Sequence, residues 1–470
     1  METRSQRVTR EDFLLFVNAC FACTGQKEFY GDGYGQTVSL RFLHQYILGN
    51  YRSLYARVLA CGVNHMNQAL IVENLLASGR ETEPGIRAEE NALITRSLDR
   101  LPTHRAMHLL SDVARRGVNN RRTRALTKRY LGAAEKRDFR AVKYRRAFRR
   151  AAMHCHMRYE GELSTFFLKG WRERHFQTPL FESFRQAHYA ESAIYELPYS
   201  IAEGLAEKHG VRREIFLERI APKMTENERM RLRDTSSAHG VALAVNWARQ
   251  PPTRVASYVL SLSRDQRVAR MPELSAALDQ STSRAIRTTA ARFGKVACVL
   301  DRSFSSSGSN EKRKRPLAVA LAVSRFLSGS AASCAVFWTG AETESELLLT
   351  PRGATDLATP VLQALRTAPE LLVIVSDGFD NDPEGLVGQV LEAGQRLLPG
   401  TFVIHLNPVY DNESYAPRSF SPKVATMGVR DADEIPTLVA FARFAHGGAP
   451  LAELAAHLDA RVAAFLGESG

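Results

Sequence analysis

The sequence is short of acidic residues relative to basic ones, short of cysteine and without a long apolar run, and each shortage closes off a class of protein. Six cysteines among 470 residues, several inside apolar stretches such as Val296-Ala-Cys298 and Cys334-Ala-Val-Phe337, fit buried thiols of a reducing compartment and not a disulfide framework. No window reaches the roughly 18 uncharged apolar residues that a membrane helix needs. The opening Met1-Glu-Thr-Arg-Ser-Gln-Arg7 is polar and charged where a secretory leader is apolar, so a cytoplasmic location is expected. Nucleophile-elbow, HExxH and adjacent-strand acid–base signatures are missing too, and the expectation is a protein that is not an enzyme. Cys20-Phe-Ala-Cys23 is a lone CxxC without a second pair, and with the distant His154-Cys-His156 it reads more simply as inward-facing small side chains than as a zinc site. Gly31-Asp-Gly-Tyr-Gly35 follows no strand and lacks the Lys-Ser/Thr ending of a phosphate loop, so it reads as a turn between helices.

What is present in excess is positive charge, with 63 Lys and Arg against 50 Asp and Glu. It is unevenly placed: residues 1–300 hold 49 basic and 30 acidic side chains, residues 301–470 hold 14 and 20. The stretch from Arg115 to Arg150 alone carries 15 Lys or Arg against Glu135 and Asp138. A field of that density attracts polyanions. Arg115, Arg116, Arg121, Arg122, Arg124, Lys128, Arg129, Lys143, Arg145, Arg146, Arg149 and Arg150 recur at spacings that set several cations on one helix side. Asn119, Asn120, Tyr130, Phe139 and Tyr144 lie between them. Cations neutralise phosphates while amides and aromatic rings meet unstacked bases, a mixture suited to RNA ends and loops. The plainer alternative is a solvated basic face, but so few acids leave little scope for pairing within the stretch.

Two grammars follow one another along the chain. From about residue 10 to residue 292 apolar residues recur at three-four spacing, as in Phe42-Leu-His-Gln-Tyr-Ile-Leu48 and Leu70-Ile-Val-Glu-Asn-Leu-Leu76, with Gly62, Gly79, Gly117, Gly132, Gly161 and Gly210 between segments. This predicts stacked helix pairs, a HEAT-like solenoid or ring over residues 1–290, although no fixed period is visible. Residues 291–470 alternate apolar strands with helices. Strands are expected at Lys295–Asp301, Cys334–Trp338, Glu346–Thr350, Leu371–Ser376 and Thr401–Leu406, which implies a mainly parallel, doubly wound α/β domain.

In open α/β sheets ligands gather where the strands end, and the residues found there are oxygen-rich. Asp301-Arg-Ser303-Phe-Ser305 follows the first strand, Gly353-Ala-Thr355-Asp356 lies before a helix, and Asp377-Gly378 follows the central strand. Carboxylates and hydroxyls converging from three loops are hard ligands, suited to Mg²⁺ or Mn²⁺. The bland alternative is that the two aspartates cap helices.

Asp-x-Ser-x-Ser, the threonine and Asp-Gly, in that order, resemble the metal-ion-dependent adhesion site of von Willebrand factor A domains. By that resemblance Asp301, Ser303, Ser305, Thr355 and Asp377 hold a divalent ion. The 306–315 loop, with Lys312-Arg-Lys-Arg315, departs from the pattern and lies beside the site. Helical repeats followed by such a domain, with this charge asymmetry, are similar to the Ro autoantigen family, whose TROVE module is a ring of HEAT-like helices. The resemblance rests on Gly353-Ala-Thr-Asp-Leu-Ala-Thr-Pro360, on Leu372-Val-Ile-Val-Ser-Asp-Gly378 and on domain order. It implies binding of small noncoding or misfolded RNA and a partner such as an exoribonuclease. The expectation is therefore an RNA-binding scaffold whose metal-bearing domain recruits a protein. The alternative is an assembly factor, a co-chaperone of an AAA-type ATPase, whose basic face meets an acidic protein instead of RNA.

Overall fold

A computed structural model describes residues 3–27, 33–78, 83–340, 345–411, 415–446 and 450–467. Gly31, Asp32 and Gly79, expected in turns, lie outside the described residues. The chain forms two compact units: residues 1–67 with 247–470, and residues 68–246. None of the described helices is long and apolar enough to cross a membrane.

The first unit is built around five parallel strands: β1 (Phe293–Leu300), β2 (Ala331–Trp338), β3 (Leu371–Val375), β4 (Phe402–Asn407) and β5 (Ala425–Gly428), in the order β2-β1-β3-β4-β5. β3 is Leu-Leu-Val-Ile-Val and wholly buried, as a strand covered on both faces must be. On one face Ala297, Val299, Leu372 and Ile374 pack against Leu357, Val361, Val387 and Leu391, around the helices Ala358–Arg366 and Leu386–Leu397. The other face receives the helix Arg315–Ser330, whose residues 316–324 are all buried. Such a helix is apolar all round because it is covered on its far side too. The helices Pro252–Ser261 and Met271–Thr289 supply that cover.

The edge strand β5 is sealed by the N-terminal helix Arg4–Ala22. The Asn18 amide donates to the Thr426 carbonyl at 2.9 Å and accepts from the Gly428 N–H. Gly428 has to be glycine, because a Cβ there would stand 2.7 Å from the Asn18 carbonyl oxygen. Residues 1–67 and 247–290 thus belong with the sheet, on the other side of the compositional break near residue 291. They do so because a parallel sheet needs helices on both faces and a covered edge.

The strand expected at Glu346–Thr350 is instead a single 3₁₀ turn, Glu346–Leu348. The fully buried Arg267 donates to the Leu347 and Leu349 carbonyls at 2.8 and 2.9 Å, occupying acceptors that a sheet ladder would have used. The remaining strand is β5, four residues long and ending in glycine, a weak sequence signal.

The second unit is helical, with no strand among its described residues. Its helices include Pro84–Arg100, Thr103–Arg115, Arg121–Gly132, Ala134–Lys143, Arg145–His154, Pro179–Gln186, Tyr199–Lys208, Arg213–Ile220 and Glu226–Ala238. Local signals set their ends: Asn120 caps one helix through the Thr123 N–H, and Thr225 with Glu228 forms a capping box on another.

Replacing Asn18 by Ala removes both side-chain bonds to β5. We expect a loss of about 1–3 kcal/mol, read as faster hydrogen exchange at the Gly428 amide with exchange in residues 68–246 unchanged. Unaltered protection at Gly428 would show that the edge is sealed by other interactions.

Candidate metal centre and basic surface

The switch in strand order falls between β1 and β3, and the carboxyl ends of those strands deliver the two aspartates. The Asp301 N–H extends the ladder to the Val375 carbonyl at 2.9 Å, after which the chain turns sharply. Asp301 Oδ1 accepts from the Ser303 N–H at 2.7 Å and Oδ2 from the Ser303 hydroxyl at 3.0 Å. The Ser303 and Ser305 hydroxyls are 3.2 Å apart, and Ser305 offsets part of the rise that burial imposes on the Asp377 carboxyl. Asp377 Oδ1 accepts from the Phe379 N–H at 3.1 Å, while Oδ2 is buried with no hydrogen-bond partner. Three of the five expected ligands, Asp301, Ser303 and Ser305, therefore share one hydrogen-bonded network, with the buried Asp377 carboxylate beside it.

Thr355 is also buried, and it joins the loop after β3 through its carbonyl, which accepts from the Asn381 and Asp382 N–H groups at 3.2 Å. Sequence reasoning missed Thr339, whose hydroxyl donates to Asp301 at 3.3 Å and accepts from the Arg302 N–H at 2.9 Å. It directly follows β2, so the same strand-end rule points to it. Ser376, whose hydroxyl accepts from the Gly378 N–H at 3.1 Å, was likewise passed over. A narrow recess lined by Asp301, Ser306, Ser376 and Asp377 opens at this network.

Burial pushes the Asp301 carboxyl up to about 7, with the Asp377 charge adding to the effect, and burial raises Asp377 also. Two desolvated carboxylates facing each other are unfavourable unless a proton or a cation stands between them. Among the described residues no cluster of three or more His, Cys, Asp or Glu could hold a metal, so any ion here has hydroxyls and water completing its shell. Cys20 and Cys23 are buried free thiols. Of the basic 306–315 loop, Lys314 donates to the Leu260 carbonyl at 2.7 Å and Arg315 to the Arg430 carbonyl at 2.5 Å, Lys312 is buried, and Arg313 is exposed.

In the helical unit the cations sort into two groups. Arg122 pairs with the buried Glu90, Arg116 with Glu73 at 2.9 Å, Arg115 with Asp112, Arg129 with Asp99 at 3.0 Å, and Lys143 with Glu228 at 3.4 Å. Arg124 donates to the Asn119 carbonyl at 3.0 Å, Arg145 to the Phe166 and Phe167 carbonyls, and Arg150 to the Ser111 hydroxyl. Asn119 and Asn120 bind the His154 and Leu76 carbonyls, both at 2.8 Å, so their amides serve the fold. Arg121, Lys128, Arg146 and Arg149 are exposed and make no side-chain bond to any described residue. Arg121 and Lys128 are seven residues apart on one helix and Arg146 and Arg149 three apart on another, so each pair shares a helix side. The helices Arg121–Gly132 and Arg145–His154 pack together, and the charges of Lys128 and Arg124 reach Cys155 at the end of the second. Glu73, Glu90, Asp99 and Glu228 lie on other helices and Asp112 just before the stretch, which is why the charge count within residues 115–150 did not show them.

This fold has a solved counterpart. The chain is similar in fold to the Ro (RSR) protein of Deinococcus radiodurans. Its crystal structure matches with a TM-score of 0.51 at 14% sequence identity, over 94% of this chain and 100% of that one. At that identity the likeness to the Ro protein is one of fold. It agrees with the expected combination of a helical region and a parallel α/β sheet. No protein-family model matches the sequence, and no curated protein does.

The sorting of cations predicts opposite consequences for neighbouring arginines. Arg122→Ala takes a partner from the buried Glu90 carboxylate and should cost about 3 kcal/mol. Arg146→Ala should change stability by no more than about 0.5 kcal/mol. Urea denaturation of the two variants checks this, and equal midpoints would dissolve the distinction.

Proposed function

We propose that this protein is a Ro-like RNA-binding scaffold, holding small noncoding or misfolded RNA on the basic surface of its helical unit and recruiting a protein, such as an exoribonuclease, through a metal-bearing von Willebrand A domain. The observation that carries the reading is the exposed set Arg121, Lys128, Arg146 and Arg149, which has no acidic partner among the described residues. The paired but solvent-facing Arg115, Arg116, Arg129 and Arg150 lie around it in sequence. The fold likeness to the Deinococcus Ro protein supports the same reading. Such a surface acts by releasing the counterions condensed on phosphates, so its affinity is salt-dependent and largely indifferent to sequence. The protein works as a binder and not as an enzyme, and cytoplasmic RNA is its natural polyanion.

Asp301, Ser303, Ser305, Thr355 and Asp377 are the residues to hold Mg²⁺ or Mn²⁺, and the unpartnered Asp377 oxygen and the raised Asp301 are what a hard cation would satisfy. The ion supplies a coordination position for an oxygen ligand from a partner. The chain's own residues orient the carboxylates: Ser303 fixes Asp301 through two bonds, Ser305 extends that network, and the Phe379 N–H holds Asp377.

Two measurements test these assignments. Double reversal, Arg146→Glu with Arg149→Glu, should lower affinity for single-stranded RNA and flatten the slope of log affinity against log salt by about 0.7 for each phosphate no longer neutralised. Unchanged affinity would remove the basic surface from the reading. Recovery of an acidic protein in place of RNA from native extracts would favour the assembly-factor alternative. For the metal, a carboxyl raised by folding contributes stability that is full below its ordinary value near 4 and is lost as pH rises through about 7. In chelator the melting temperature of the first unit should therefore fall across that window. Mg²⁺ or Mn²⁺ should restore it at pH 8 in the natural sequence and not in Asp301→Ala. A metal titration identical in the two proteins would overturn the site.

A further inference from the structure

A file of aromatic rings in the helical unit runs from its core to its surface. Phe181 and Phe166, both fully buried, stack with centroids 4.2 Å apart. Phe184 stands edge-on to Phe166 at 5.3 Å and His188 edge-on to Phe184 at 5.0 Å. Trp171 stacks on His188 at 5.0 Å and 22°, and Tyr189 closes the file edge-on to Trp171 at 5.8 Å. Tyr189 is 62% exposed, and its hydroxyl makes no hydrogen bond to any described residue.

The surroundings of the exposed end are cationic. The Arg172 guanidinium is 4.9 Å from the Trp171 ring centre and the Lys208 ammonium 5.9 Å, with Lys208 held by the His188 carbonyl at 3.1 Å. Arg174 is exposed nearby in sequence, and the acid between these arginines, Glu173, is occupied by Lys169 at 2.8 Å. Burial, with the charges of Lys208 and Arg145, pulls His188 down to about 4, so it is a neutral ring at physiological pH. The file also adjoins the basic surface. Arg145 holds the Phe166 and Phe167 carbonyls and lies against Gly170, which adopts a positive φ of 57°. A Cβ at Gly170 would stand 2.9 Å from that guanidinium. Trp171 follows Gly170 directly, and the exposed Arg146 follows Arg145.

We infer that Tyr189, braced by a Trp171 ring that carries Arg172 and Lys208, is a stacking platform for an unpaired base of single-stranded RNA. The inference rests on the RNA-binding reading and adds the chemistry that recognises the ligand: a flat π-face beside a phosphate. A ring already immobilised by a packed file loses little freedom on binding, and every base offers it a face, so the platform selects unpaired nucleotides without selecting sequence. An acidic peptide would meet the same cations but has no recurring flat face for Tyr189.

The test compares a ten-nucleotide oligoadenylate with an abasic ribose-phosphate strand of equal length, by fluorescence anisotropy at two salt concentrations. The natural protein should prefer the base-bearing strand on the order of tenfold. Tyr189→Ala should erase that preference while leaving the salt slope unchanged, and Tyr189→Phe should keep it. Because Tyr189 is exposed, the variants should melt with the natural protein. An intact preference in Tyr189→Ala would overturn the platform while leaving RNA binding standing. No binding of either strand by the natural protein would overturn the RNA reading and the platform with it. If polyglutamate instead binds and weakens equally in Tyr189→Ala, the platform belongs to a protein partner and the inference fails.

Discussion

A parallel sheet has to be buried on both faces and closed at its edges, and that constraint organises the first unit. The strands themselves are contiguous apolar runs, but their cover comes from segments that precede and follow the helical unit in sequence. The helix Arg4–Ala22 closes β5 through one asparagine side chain, and the helices Pro252–Ser261 and Met271–Thr289 bury the far side of Arg315–Ser330. A helical module drawn as a simple N-terminal block would leave the sheet half exposed. Burial thus explains why the compact unit is discontinuous in sequence while the helical unit, residues 68–246, is continuous.

The same constraint makes the strand-end site costly. With the sheet covered, Asp301 and Asp377 are removed from water, yet Ser303 and Ser305 hold Asp301 in a network and the Phe379 N–H holds Asp377. Burial alone would favour replacing them with neutral residues, because an isolated buried charge is among the most unfavourable features a fold can carry. In the proposed metal site the same hydroxyls that aim the Asp301 carboxylate would also be ligands, so one set of groups would both orient and coordinate. Thr339 extends that logic, since it holds Asp301 from the neighbouring strand end.

How much of this was legible in the sequence depends on the distance over which each feature is decided. Strand identity and the position of Asp301 and Asp377 are local properties of apolar runs and the residues after them, and they were readable. The turn at Glu346–Leu348 was not, because the arginine that captures its carbonyls is about 80 residues away in sequence. The basic stretch was readable as charge but not as surface. Glu73, Glu90, Asp99 and Glu228, which neutralise part of it, lie outside the stretch and meet it only through helix packing. The file from Phe181 to Tyr189 was invisible for a related reason: its rings come from segments that become neighbours only when folded, and no spacing rule links Trp171 with His188.

Arginine composition therefore overstates the electrostatic surface. A guanidinium is planar, carries five donors and is less strongly hydrated than an ammonium, so it can hold backbone carbonyls and lie over rings inside a fold where lysine would not. Arg267 bridges two carbonyls, Arg140 bonds the Tyr130 carbonyl and lies 3.9 Å over the same ring, and Arg145 combines both roles at Phe166. These side chains are structural cross-links that happen to be charged, and they cannot be released to a ligand without loosening the helices they join. The charge available to a polyanion is the residue left after that subtraction, of which Arg121, Lys128, Arg146 and Arg149 are members. Placing those on rigid, internally pinned helices means that binding need not order the surface first, and the field they present is fixed in position before any ligand arrives.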